Sequence, residues 1–449
     1  MLHTLSMRYG SRLASLLAAL AIVAAACAGC GDGESERASS EPSISATPAG
    51  SAPSPTADSL PDGDFVITLW SMEREADESL QYVQGLTDAY TAEHPNVTFE
   101  VVSKDVDALR EDFQTSSEAG DPPDLLWTES AQWGPLRAAD LIQPVDDFID
   151  PAAYVPNALS VLRLEDATWG IPISFGNQLM LYWNKELAGP TPPTDSDAWV
   201  AAAKPLTTGD QVGVAFNQTD SFWLVPFLGG FGGSVFAADG ITPTLDTDAM
   251  RRALEFLYNL KFIDKVTPLE ADYNVADDLF REGNAAYIIN GEWTLDAYAA
   301  SADAEAPGLG DNLGVGALPL MTDGEDPEPY VAGTYFMVPK QLAGDELTIA
   351  ADFMTFATNQ ENQVGMVEML KRLPGNAEAF GSDVVTGDPL LAASADAAAK
   401  GVAQPVQLEM RCVFDAMNVG VGDMFAGSSD FADLSATMQS SAEACIDRL

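Results

Sequence analysis

The sequence predicts an α/β protein built on mostly parallel sheets flanked by helices. Three observations carry that expectation. Short apolar runs of strand length alternate with amphipathic runs of helical length from Phe65 to Leu370. Clusters of Gly, Pro and Asp punctuate the joins. The chain has 449 residues, 47% of them hydrophobic, enough for two or three domains with large cores.

The elements follow in order. Phe65–Ser71, FVITLWS, is an apolar run opened by Asp-Gly-Asp and reads as a buried strand. Ala76–Glu93 has helical spacing, with Leu80, Val83, Leu86, Thr87 and Tyr90 on one face. Val97–Val102 alternates and reads as strand. Val106–Glu118 is helical with Leu109 and Phe113 inward, and Pro122-Pro123-Asp124 breaks it. Leu125–Thr128 is the third strand and Ala131–Leu141 a helix. After a switch at Trp169–Gly176, Gln178–Trp183 is apolar on both faces, and Val212–Phe216 is another buried strand. Thr247–Lys261 is amphipathic, with Asp246 expected as its N-cap. Asp277–Glu282 ends a helix closed by Gly283-Asn284. Ala285–Asn290, Gly314–Leu318 and Tyr335–Val338 read as strands, and Thr348–Leu370 as one long helix. No repeat of fixed period is present.

The charge excludes some functions. Lys+Arg is 21 against Asp+Glu 68, a formal charge of −47, so a phosphate backbone is repelled and nucleic-acid binding is not expected. With only His3 and His94, a multi-histidine metal centre is impossible; no metal and no cofactor is expected. Gly229–Gly233 lacks the Lys-Ser/Thr of a phosphate loop and the strand–helix setting of a dinucleotide site. The acids of 323–328 lack calcium-loop spacing, and no GxSxG elbow occurs.

Residues 1–30 have the layout of an export signal: Arg8 and Arg12, an uncharged Leu13–Ala26 stretch, then small residues before a cysteine. Ala24–Cys27 and Ala28–Cys30 both resemble the lipobox of bacterial lipoproteins. That resemblance implies lipidation at Cys27 or Cys30 and an anchor on the outer face of the membrane. Residues 31–62 are rich in Ser, Pro, Ala and Gly and read as a tether reaching about 30 Å. Cys412 and Cys445 remain. In an oxidising compartment they are most simply a disulfide; two buried thiols are the alternative.

Five segments, in order, resemble the extracytoplasmic solute-binding proteins of ABC importers, in the maltose-binding-protein-like, carbohydrate-binding subgroup. They are residues 123–147 (PDLLWTESAQWGPLRAADLIQPVDD), 169–187, 229–260, 279–298 (LFREGNAAYIINGEWTLDAY) and 314–340. The resemblance implies the two-lobe type II fold of periplasmic binding proteins, with three crossing segments and ligand in the cleft. Lobe one would be 63–172 plus 331–373, and lobe two 174–316 plus 375–449. It implies a monomeric binding protein, not an enzyme, that hands a sugar to permease subunits.

A sugar site needs flat aromatic rings for C–H faces and planar carboxylates, amides and guanidiniums for hydroxyls. Glu73 and Arg74 follow the first strand, where the family carries a charged pair; an exposed ion pair is the alternative. Glu129 and Trp133 follow the third strand, though Trp133 could equally pack its helix on the sheet. Asn177 and Gln178 stand where the family has a hydroxyl-binding carboxylate. Trp293 ends IINGEW, where the family often stacks a tryptophan. Phe222 and Trp223 offer a second platform, with a helix core as the alternative. Tyr335 could reach the cleft after the second crossing, and Arg411 lies where relatives add contacts. The competing readings are the same fold holding a polyamine, iron chelate or peptide, and a lipid-anchored hydrolase or sensor. Four tryptophans near predicted cleft loops favour sugar.

Overall fold

The computed structural model describes residues 60–74, 78–164, 166–301 and 308–449. The export signal, Cys27 and Cys30, and the tether up to residue 59 lie outside the described residues. Among the described residues no helix is long and apolar enough to cross a membrane.

Two sheets organise the chain. In the first, β1 (Phe65–Ser71) pairs in parallel with β2 (Val97–Ser103) and β3 (Leu125–Glu129). Two short strands, β4 (Ile142–Gln143) and β5 (Ile171–Pro172), meet this sheet farther along the chain. The second sheet holds β6 (Leu179–Asn184), β7 (Val212–Ala215), β8 (Ala285–Gly291) and β9 (Leu313–Gly316), in the order β9-β6-β8-β7. The chain then returns to the first sheet as β10 (Thr334–Pro339), antiparallel to β3, β4 and β5. Parallel pairing in these two sheets is thus confined to β2-β1-β3 and β7-β8. β6 and β10, the strands that follow a crossing, run against every strand they pair with, so both sheets are mixed.

Every residue of β6, β8 and β10 is buried, as expected of strands covered on both faces. Helix Glu78–Glu93 buries Leu80, Val83, Leu86 and Tyr90 on one face of the first sheet. On that same face, Phe336, Phe353 and Met366 join the cluster around Ile67 and Leu69. The opposite face carries Leu109, Phe113, Trp133 and Tyr335. Each fully buried side chain of this kind contributes about 1.5–3 kcal/mol.

Three crossings join the lobes, near residues 172–176, 331–334 and 372–375. Bridges between Ser174 and Pro374, and between Gly176 and Ala332, hold them side by side.

Two helix expectations are corrected. The stretch Thr348–Leu370, expected as one helix, falls in two, Gly344–Ala357 and Gln360–Leu370, because the Asn359 side chain accepts from the Asn362 amide and starts a new helix. The helix at Asp248–Tyr258 is capped by Thr247, whose hydroxyl accepts from the Met250 amide at 3.2 Å. Asp246 instead pairs with Arg251 and accepts from Ser435.

Candidate functional site

Parallel strands deliver their carboxyl-terminal loops to one edge of a sheet, where ligands bind in open α/β folds. Glu73 and Arg74 leave the end of β1, Glu129 ends β3, and Glu292 and Trp293 leave β8. Arg74 is exposed, and Glu129 is half-buried and accepts from Gln132 Nε2 at 3.0 Å.

An aromatic group forms at the end of β8. Trp293 is half-buried and donates from Nε1 to the Tyr273 hydroxyl at 2.9 Å. Its ring lies 6.4 Å from Phe222 and 6.5 Å from Trp223. Phe222 in turn lies 6.2 Å from Tyr330. Trp293 sits against Gly291. A Cβ built on Gly291 would fall 1.9 Å from the indole, so only glycine lets the ring lie there. The loop is braced from behind, because the Gly291 carbonyl accepts from Tyr182 Oη at 2.8 Å and from Thr294 Oγ1 at 2.9 Å. Burial raises the Tyr273 phenol, and the hydrogen bond from Trp293 acts against that rise.

A second group holds the floor of the crossings. Glu73, 5% exposed, is clamped by Arg372 at 2.7 and 3.4 Å and accepts from Trp127 Nε1 at 3.2 Å. Burial alone would raise the Glu73 carboxyl, but the Arg372 charge and the donors around it outweigh burial and hold it below the ordinary value. Glu292 has one oxygen on the Leu373 amide at 3.1 Å. Its burial pushes the carboxyl up to about 7, with Arg372 only partly compensating.

The other expected site residues take different places. Glu73 is a buried partner of Arg372 and does not present its carboxylate to solvent. Gln178 is fully buried; its amide nitrogen donates to the Ser394 carbonyl at 3.0 Å, which ties β6 to helix Pro389–Ala398. Tyr335 is likewise fully buried, and its hydroxyl donates to the Ala158 carbonyl at 2.8 Å. Strand period 2 sends it to the face carrying Leu109 and Met337, so its expected reach into the cleft is corrected to a core role. Trp133 is buried at 3% exposure, 6.3 Å from Trp169, with the Arg137 guanidinium over both rings. It packs helix Trp133–Ala138 on the first sheet and lines a cavity of about 440 Å³ shared with Val161, Phe236, Tyr330 and Val406. Trp223 is buried and donates to the Ile289 carbonyl at 2.8 Å, so it backs the aromatic group rather than facing ligand. Asn177 is half-buried with φ 59°, in the left-handed region that asparagine tolerates. Arg411 is exposed on helix Glu409–Phe425. The next residue, Cys412, is bridged to Cys445 of helix Phe431–Ile446, Cα–Cα 5.5 Å.

Tyr273, Arg372 and Glu292 were not singled out from sequence. Arg372 opens the third crossing in KRLPGN, and an arginine is scarce enough in so acidic a chain to serve as a signal.

Comparisons with known proteins point to one family. The family described as bacterial extracellular solute-binding protein matches residues 85–393. The maltodextrin-binding protein MdxE of Bacillus subtilis is 25% identical over 330 residues, covering 71% of this chain and 75% of its own length. The maltotriose-binding protein of Pyrococcus abyssi is 24% identical over 393 residues, 84% of this chain and 81% of its own. Among solved structures, the maltose/maltodextrin-binding domain MalE from Bdellovibrio bacteriovorus bound to maltotriose aligns with a TM-score of 0.76 and 28% identity. That alignment covers 85% of this chain and all of that one, 100%.

Proposed function

This chain belongs to the bacterial extracellular solute-binding proteins, and from that premise we propose that it captures a maltodextrin-type oligosaccharide between its lobes and delivers it to an ABC permease. The observation that carries the reading is the half-buried Trp293 ring, held by Tyr273 and flanked by Phe222, at the carboxyl edge of the second sheet. Such a ring offers an apolar face to sugar C–H groups, and its own N–H is already satisfied. Arg74 and Glu129 stand on the first lobe as exposed and half-buried polar groups for hydroxyls, and Asn177 stands at the first crossing. Closure of the two lobes around the sugar is the hinge motion expected of this architecture.

The protein acts as a binding protein and catalyses no reaction. It works as a monomer held outside the cytoplasm by a lipid on Cys27 or Cys30. Calorimetric titration with maltotriose, with spermidine and a metal salt as comparators, tests the reading. Saturable binding of maltotriose alone is expected. Binding of spermidine or the metal in its place would overturn it.

A further inference from the structure

Glu292 sits between the first and third crossings. One of its carboxyl oxygens, Oε1, accepts from the Leu373 amide of the third crossing. The other, Oε2, faces Gly176 and Gln178 of the first. A point one Cβ bond out from Gly176 lies 3.2 Å from Glu292 Oε2 and 3.2 Å from Gln178 Oε1. Gln178 Oε1 is buried without a donor. The amide cannot be turned round, because its nitrogen is needed by the Ser394 carbonyl, which only accepts. Both oxygens thus border the same small space beside Gly176, where the Asn177 amide also donates to the Glu292 carboxyl but Gln178 Oε1 has no donor. A buried acceptor without a donor is costly, and a proton on Glu292 would supply one.

We propose that Glu292 is a proton-binding site built into the crossings, its neutral carboxyl donating toward Gln178 Oε1, and that release of the proton weakens ligand capture. The second half rests on the oligosaccharide-binding reading above. The groups that face Glu292 support the first half. Arg372 is the cation nearby, but its guanidinium is committed to Glu73. Asp296, in the following helix Leu295–Ala299, repels the ionised form, and Glu78 of lobe one adds repulsion on Asp296. Tyr182 on β6 is a neutral phenol facing both acids. Burial is the main cause that raises the Glu292 carboxyl, up to about 7. Once ionised, Glu292 competes with Glu73 for Arg372 and repels Gln178 Oε1. It is also the residue before Trp293, so the platform moves with it.

The test has two arms. Infrared difference spectra of the ligand-free protein against Glu292→Gln read the protonated carboxyl directly. A carbonyl band of a buried carboxylic acid is expected at pH 6, fading through neutrality and absent in the variant. Asp296→Asn, which keeps Glu292, should move that fade to lower pH, and it keeps the arm decisive if Glu292→Gln fails to fold. No such band at pH 6 in the wild type overturns the proton site. Maltotriose titration then reads the coupling. The wild-type Kd should rise about tenfold from pH 6 to pH 8.5, while Glu292→Gln stays flat near the low-pH value, a difference matching one coupled proton. Equal Kd at both pH values with the band present overturns the coupling. Absence of maltotriose binding at every pH instead refutes the oligosaccharide reading and leaves the infrared arm to decide the proton site.

Discussion

Gly291→Ala isolates the placement of Trp293 from its presence. The backbone of Gly291, φ −82° and ψ 163°, is one that alanine adopts without strain. All of the perturbation therefore comes from the new methyl, whose carbon would fall 1.9, 2.1 and 2.2 Å from three indole atoms. Ordinary carbon contact begins near 3.5 Å, so the ring must retreat by roughly 1.5 Å. That shift breaks the 2.9 Å bond to Tyr273 and tilts the ring away from Phe222. The expected stability cost is about 1–3 kcal/mol, as for overpacking. Loss of a well-placed aromatic should cost a further 1–2 kcal/mol of maltotriose binding, about 5- to 30-fold in Kd. Calorimetry and urea melts on the same sample separate the two effects. Gly85→Ala is the control: nothing lies within 4 Å of its Cβ position, and it sits in helix Glu78–Glu93, so it should be neutral or slightly stabilising. Unchanged maltotriose affinity in a variant whose indole fluorescence shows a displaced ring would refute the stacking role of Trp293.

Arg372→Met strands the buried Glu73 carboxylate and should cost about 3–5 kcal/mol at neutral pH by chemical denaturation. The paired Glu73 titrates below its ordinary value of 4.5, so the stability it supplies is present above that pH and lost as pH falls through the lower folded value. That acid-side loss should be absent from the variant, and a variant with wild-type acid sensitivity would speak against the pairing. Replacing Cys412 and Cys445 together by serine should cost about 3–4 kcal/mol of stability and leave maltotriose affinity unchanged, measured by melts and titration. With a formal charge of −47, self-repulsion should make Tm rise between about 0.02 and 0.5 M NaCl; a flat Tm across that range would remove charge repulsion as a term in stability.

The strands were legible because they are local. FVITLWS and AAYIIN declare themselves within seven residues, and both stand where their apolar runs predict. The break between helices Gly344–Ala357 and Gln360–Leu370 was hidden, because Thr358 and Asn359 interrupt an apolar pattern without Gly or Pro. The site was legible where it depends on a motif and obscure where it depends on distant pairing. Trp293 is marked by IINGEW. The burial of Glu73 is set by Arg372, 299 residues away, and no local pattern connects the two. Tyr335 could have faced either side of β10, since a strand's period of two decides the alternation but not which side is the core.

The bridge between Cys412 and Cys445 also determines how the chain would respond to pulling. A load applied on the chain beyond Cys445 would pass through sulfur into helix Glu409–Phe425. That helix is anchored by Met410, Val413, Met417 and Met424 in the same apolar cluster as Trp223 and Ile289. Helix Phe431–Ile446 cannot be drawn away by itself, so force arriving at Cys445 would reach the aromatic wall of the second lobe as a single mechanical event.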